Sequence, residues 1–124
     1  ADRGPSWRTV ECPVDMHEAI AREAAPDRVL LVDCLTLWTS NLLLGEHDFA
    51  AASQRLIATL TQARSPVILV SNEVGMGIVP DNPLTRQFRD MAGRLNQDVA
   101  AIAHRAELVV SGLVVQLKPG PPAA

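Results

Sequence analysis

Aromatic side chains are scarce in this sequence. Its 124 residues include two Trp, two Phe and no Tyr, which is 3% of the chain. Modules that bind single-stranded nucleic acids stack bases on aromatic rings, so this composition argues against them. Eleven Lys and Arg against fourteen Asp and Glu give a net charge of −3, without the basic clusters that a phosphate backbone selects. The sequence therefore predicts a protein that does not bind nucleic acid.

Cysteines and long apolar runs are also few. Cys12 and Cys34 lie 22 residues apart in no metal-binding pattern with histidine, and we interpret both as buried thiols. The apolar run Val29 to Val32, extended through Leu35, is far shorter than a bilayer requires. The sequence shows no signal peptide. We therefore expect a cytoplasmic protein without a membrane span.

The apolar pattern predicts strands that alternate with helices. Residues 28–33 and 67–70 are short apolar runs typical of strands buried on both faces of a parallel sheet. Residues 107–110 and 113–117 predict two more strands around a tight turn at 111–112. This alternation predicts an α/β fold with three layers and a mostly parallel sheet. Ligands bind such sheets at the carboxyl ends of the strands.

Four helices are predicted, each from an N-cap residue followed by apolar residues at helical spacing. The last is the clearest, because Pro83 occupies its first turn and an apolar stripe follows. The predicted N-caps are Asp15, Thr36, Asp48 and Asn82.

Two carboxylates are candidates for nucleotide chemistry. Asp33 follows four apolar residues of a predicted strand, where the second carboxylate of a P-loop enzyme would hold Mg²⁺ directly or through water. The alternative is that Asp33 only caps the next helix. Glu11 ends the predicted extended segment Trp7–Cys12 and could reach a sugar hydroxyl, although an exposed strand-end carboxylate is the commoner case.

The segment Ser71–Pro80 is the most informative stretch. Its sequence, Ser-Asn-Glu-Val-Gly-Met-Gly-Ile-Val-Pro, follows a predicted buried strand. Asn72 and Glu73 supply an amide and a carboxylate, and Gly75 and Gly77 allow positive φ and close approach of the backbone to a ligand. The same letters also fit a flexible connection to the next helix.

Three blocks resemble the family of bifunctional adenosylcobinamide kinases/adenosylcobinamide-phosphate guanylyltransferases. They are residues 7–11, residues 31–36 with 41–43, and above all Ser71–Pro80, which is highly specific. Residues 88–97 and 109–113 extend the resemblance, in order, nearly to Lys118.

The resemblance implies a RecA-like P-loop NTPase fold and an enzyme of cobalamin biosynthesis. Such an enzyme phosphorylates adenosylcobinamide with ATP or GTP and then transfers GMP from GTP to that phosphate through a guanylylated histidine. Its implied cofactor is Mg²⁺, and a ring-like homo-oligomer is expected. By position, Glu11 and Asp33 match the family's nucleotide-binding carboxylates, and Asp2 and Arg3 belong to the nucleotide-contacting stretch after the histidine. Asn72, Glu73, Gly75 and Gly77 form a possible substrate loop.

The sequence departs from the family pattern in one respect. It contains no Gly-rich loop ending in Gly-Lys-Ser, and the catalytic histidine is expected upstream of Ala1. We therefore expect an N-terminally truncated domain over residues 1–118, a disordered tail over 119–124, and no activity of this chain alone. Two alternatives are a non-catalytic remnant and an unrelated α/β module, such as a receiver-like or flavodoxin-like domain.

Overall fold

The computed structural model describes residues 6–121, which fold into four helices and four strands. The chain divides into two compact units, and the boundary lies between Asn72 and Glu73. In chain order the elements are α1 (Met16–Glu23), β1 (Leu30–Asp33), α2 (Leu35–Leu44), α3 (Phe49–Gln62), β2 (Val67–Val70), α4 (Pro83–Ile102), β3 (Ala106–Val110) and β4 (Leu113–Lys118).

The first unit contains a parallel pair of strands. Leu30 of β1 pairs with Val67 of β2, and Asp33 pairs with Val70, so the carboxyl ends of the two strands coincide. This confirms the predicted parallel strands, with β1 starting two residues later than expected. Because β1 leads through α2 and α3 to a parallel neighbour, both strands deliver their C-terminal residues to the same edge of the sheet.

The two strands are not buried on both faces as predicted. Along each of them, half-buried and exposed residues alternate, and the exposed side chains include Leu31, Ile68 and Val70. A continuous apolar run here therefore has one half-buried and one exposed side.

The core of the first unit lies between its helices. α2 buries one stripe at helical spacing, and α1 and α3 pack against each other. The stripe explains why an almost entirely apolar helix has a defined inward side. The buried apolar residues are Met16 and Ile20 of α1, Leu35, Trp38 and Leu42 of α2, and Leu56 of α3.

The ends of α2 differ from the prediction at one residue. Its N-cap is Cys34 and not Thr36, because the backbone of Cys34 is extended and its Sγ accepts the N–H of Leu37 at 3.4 Å. At the other end, α2 stops at Leu44 and Gly45 is its C-cap. A Cβ at that position would lie 2.7 Å from the ring of His47 and 3.0 Å from the carbonyl oxygen of Asn41, so the close turn requires glycine.

The expected extended segment Trp7–Cys12 forms no strand. Side chains attach it to the rest of the unit instead. The guanidinium of Arg8 donates to both carboxylate oxygens of Glu23, at 2.7 and 2.9 Å. Residues 7–12 thus belong to no helix or strand, and their extended conformation stays a prediction.

The second unit consists of α4 and a hairpin. Asn82 caps α4 by accepting the N–H groups of Leu84 and Thr85, and Pro83 lies in its first turn, as predicted. The strands β3 and β4 are antiparallel around Ser111 and Gly112, which both have positive φ. The expectation of a mostly parallel sheet thus holds for β1 and β2 and fails for this hairpin.

Two further expectations concern the C-terminal tail and a membrane span. Of the tail 119–124, only residues 119–121 are described. No helix within residues 6–121 is long and apolar enough to cross a membrane.

Candidate functional site

The shared carboxyl edge of β1 and β2 gathers polar side chains. Asp33 is the last residue of β1 and is exposed, and Ser71 and Asn72 follow β2 directly. The hydroxyl of Thr36, in the first turn of α2, accepts the N–H of Asn72 at 2.8 Å and lies 3.4 Å from the hydroxyl of Ser71. The exits of both strands are thereby joined through one threonine.

A groove of about 980 Å³ runs beside β1 in this unit. Glu11 and Asp33 both line it, so the two carboxylates predicted for nucleotide binding share one open cavity. Its volume lies at the upper end of the range typical of small-molecule sites. Its walls mix charged groups with apolar side chains of β1 and α2, such as Leu31 and Trp38.

The segment that carries Glu11 is fixed at its C-terminal end by α2. The indole N–H of Trp38 donates to the carbonyl of Val14 at 2.7 Å, and the side-chain amide of Asn41 donates to the carbonyl of Pro13 at 3.0 Å. Since the Trp38 side chain is almost fully buried, its hydrogen bond is anchored in the core. The groove is therefore bounded by a loop that the helix holds in place.

Both cysteines lie beside this groove and are free and half-buried, which corrects the prediction of buried thiols. Desolvation, followed by the negative charge of Asp15, raises the pKa of the Cys12 thiol. The thiol is the unreactive form at neutral pH, so Cys12 is not prepared to act as a nucleophile.

The second unit begins with the loop of residues 73–80. It contains Glu73, Gly75 and Gly77, three of the four residues predicted to form a substrate loop, and we use that name for it; its role stays a prediction. The N–H of Gly75 donates to the carboxylate of Glu73 at 2.7 Å, and a Cβ on Gly75 would approach the same oxygen to 2.9 Å. A larger residue at position 75 would require only the flexible Glu73 side chain to move. Neither Gly75 nor Gly77 has positive φ, contrary to the reason given from sequence.

Two arginines of α4 bind the backbone of the substrate loop. Arg89 donates from Nη2 to the carbonyl of Gly75 at 2.6 Å and lies 3.4 Å from that of Gly77, and Arg86 donates to the carbonyl of Pro80 at 2.8 Å. Neither arginine was predicted from the sequence as a contact of this loop. The pattern that could have indicated these contacts is a pair of arginines three residues apart at the start of a helix that follows a Gly-containing loop.

The predicted site residues thus fall into three groups. Glu11 and Asp33 line the groove of the first unit. Asn72 lies in the same unit, and its backbone N–H is bound by the hydroxyl of Thr36. Glu73, Gly75 and Gly77 lie in the substrate loop of the second unit. Asp2 and Arg3 lie outside the described residues.

The donor set at the sheet edge suits a magnesium ion bound mainly through water. Within residues 6–121 no cluster of three or more His, Cys, Asp or Glu side chains is arranged to hold a metal ion. Mg²⁺ needs no such cluster, because it usually takes one or two carboxylates with waters and substrate phosphates. Asp33, an exposed carboxylate at the end of β1, offers that oxygen chemistry.

Comparison with known proteins gives a consistent answer. A sequence model described as cobinamide kinase/cobinamide phosphate guanyltransferase matches residues 1–117. The bifunctional adenosylcobalamin biosynthesis protein CobU of Salmonella typhimurium is 44% identical over 131 residues, covering 94% of this chain and 72% of that protein. CobU of Escherichia coli is 42% identical with the same coverage. The bifunctional adenosylcobalamin biosynthesis protein CobP of Pseudomonas aeruginosa is 42% identical over 98% of this chain and 71% of its own length.

The match includes the sheet edge with Asp33 and the substrate loop, since both lie within residues 1–117. The alternative of an unrelated receiver-like or flavodoxin-like module is therefore wrong. This chain belongs to the cobinamide kinase/cobinamide phosphate guanyltransferase family.

Proposed function

We propose that this chain takes part in two successive reactions on adenosylcobinamide. In the first, its hydroxyl is phosphorylated with ATP or GTP. In the second, GMP is transferred from GTP to the new phosphate, which gives adenosylcobinamide-GDP and releases pyrophosphate. The observation that carries the proposal is the family match over residues 1–117, which contains the paired strand ends with Asp33.

The chain's own residues would serve nucleotide binding in the first unit. Asp33 ends a strand at the edge where α/β folds bind phosphates, and Glu11 lines the same groove. We assign Glu11 to contact a sugar hydroxyl of the nucleotide. We assign Asp33 to hold Mg²⁺ through water, and that ion, when bound, neutralises charge on the transferring phosphoryl group. Asp2 and Arg3 are proposed to contact the nucleotide as well.

A larger sheet is part of this proposal. β1 and β2 expose Leu31, Ile68 and Val70, whereas parallel strands normally have both faces covered. This exposure supports a three-layer, RecA-like fold in which further elements complete the sheet. We include a homo-oligomer and a cytoplasmic location as expectations of the family resemblance.

The 124-residue chain alone is expected to be inactive. It has no Gly-Lys-Ser loop, so the backbone amides and the lysine that would hold the β- and γ-phosphates are not part of it. The assay therefore uses a chimera: the Salmonella typhimurium relative with its matching segment replaced by this chain.

The chimera is incubated with adenosylcobinamide, Mg²⁺ and GTP labelled at the α-phosphate. We expect phosphorylated adenosylcobinamide first and labelled adenosylcobinamide-GDP second. The unmodified relative is the positive control, and the 124-residue chain is the negative control. A folded chimera that binds GTP yet forms neither product would overturn the proposal and favour the non-catalytic alternative.

A further inference from the structure

The substrate loop exposes three large apolar side chains. Ile78 is 96% exposed, Met76 76% and Val79 66%, and they lie within four consecutive residues. Scattered apolar residues are common on protein surfaces, but three so strongly exposed within one short loop offer apolar area that a ligand can cover.

The backbone that carries these side chains is held and not free. Arg89 binds the carbonyl of Gly75 and approaches that of Gly77, on either side of Met76, and Arg86 binds the carbonyl of Pro80 beyond Val79. Both arginines project from the capped N-terminal half of α4. Hydrogen bonds from a guanidinium to carbonyls are charge-assisted and therefore among the stronger ones. The helix thus fixes the shape in which the loop presents its apolar side chains.

The chemistry of the loop selects between the two substrates of the proposed reactions. A nucleotide triphosphate needs N–H groups or cations, whereas the arginines here are turned to backbone carbonyls and the N–H of Gly75 is bonded to the carboxylate of Glu73. A corrin macrocycle instead carries methyl groups around its rim together with neutral amide side chains. The exposed apolar side chains of the loop match the methyl groups of that rim.

We infer that the apolar side chains of the substrate loop contact the corrin ring of adenosylcobinamide and that Arg89 is the positioning residue that keeps the loop in its binding shape. The inference rests on the proposed function for the identity of the ligand. Arg89 acts through the carbonyls of Gly75 and Gly77 and does not touch the corrinoid. Such preorganisation raises affinity because less loop entropy is lost on binding.

The methionines allow a direct test on the 124-residue chain. It contains three, of which Met76 is on the loop, Met16 is buried in the core and Met91 is half-buried in α4. With ¹³C-methyl methionine, adenosylcobinamide added in the dark should shift the Met76 resonance in a saturable way and leave that of Met16 unchanged. Arg89→Ala should weaken this binding at least about tenfold, and Arg89→Lys, which keeps one donor, should recover part of it.

Arg94→Ala is the matched control, because Arg94 is an exposed arginine of the same helix. It should bind like the parent chain, and the helical circular dichroism signal should be unchanged in every variant. Parent-like affinity of Arg89→Ala, a corrinoid that binds without moving Met76, or no binding by the parent chain would each overturn the inference. Product formation by the chimera is measured separately, so failure here is distinguishable from failure of the proposed function.

Discussion

The hydroxyl of Thr36 accepts the backbone N–H of Asn72 at 2.8 Å, across 36 residues of sequence. This contact joins the first turn of α2, directly after Asp33, to the residues that follow β2. The edge of the sheet where we place the nucleotide is therefore fixed by a side chain that the sequence identified only as a helix cap.

Replacing Thr36 with Val tests that role, because valine keeps the shape and removes the acceptor. We expect the free energy of unfolding to fall by about 1–2 kcal/mol, the usual cost of losing such a hydrogen bond. Urea denaturation of the chain measures it. Thr36→Ser keeps the hydroxyl, so its free energy of unfolding should fall much less. Equal stability of the Val and Ser variants would contradict the role of the hydroxyl.

Ser65 makes a second long-range connection, from the turn before β2 to the end of α1. Its buried hydroxyl accepts the N–H of Ala25 at 2.8 Å and donates to the carbonyl of the same residue at 2.7 Å. Ser65→Ala removes both hydrogen bonds and should lower the free energy of unfolding by about 2 kcal/mol. Ser6→Ala, at an exposed serine, should leave it within about 0.5 kcal/mol of the parent value. A Ser65 variant as stable as the Ser6 variant would refute this.

The raised pKa of Cys12 predicts how alkylation of its thiol depends on pH. Burial and the charge of Asp15 raise the pKa of its thiol above the ordinary 9.0. In a Cys34→Ser background, the midpoint of iodoacetamide alkylation of folded Cys12 should lie at higher pH than in the urea-unfolded chain, as followed by mass spectrometry. The pH profile separates a raised pKa from restricted access of iodoacetamide to the thiol, because restricted access lowers the alkylation rate equally at every pH.

The same shift has a consequence for stability. Above pH 9 the unfolded thiol ionises before the folded one, so the folded state loses stability as pH rises through the folded pKa. Asp15→Asn should move the folded midpoint down, towards the unfolded one. A folded midpoint at or below the unfolded midpoint would contradict the assignment.

The sequence predicted those features that depend on local pattern. The caps at Asp48 and Asn82, the strand Val67–Val70 and the turn at 111–112 are confirmed because each rests on neighbouring residues. The family itself was recognised from the specific block at 71–80 and is confirmed by the match over residues 1–117.

The errors arose where distant residues decide the structure. Thr36 is not the cap of α2, because its hydroxyl is engaged with Asn72 and Cys34 takes the capping position. The contacts of Arg89 with the substrate loop depend on the path of the chain before α4, which periodicity cannot give. The roles of Glu11, Asp33 and the loop residues in catalysis stay predictions.

Asp33→Asn in the chimera tests the central claim most directly, since asparagine keeps the shape and removes the charge. Phosphorylation of adenosylcobinamide, GMP transfer and Mg²⁺-dependent GTP binding are measured together. Asp27→Asn is the matched control, because Asp27 is an exposed carboxylate that lines the same groove. If Asp33 holds the metal, both reactions should fall by about 100-fold or more in a folded protein, a loss of about 2.7 kcal/mol of transition-state stabilisation, while Asp27→Asn stays near the parent rate. Near-normal turnover of Asp33→Asn would contradict the account.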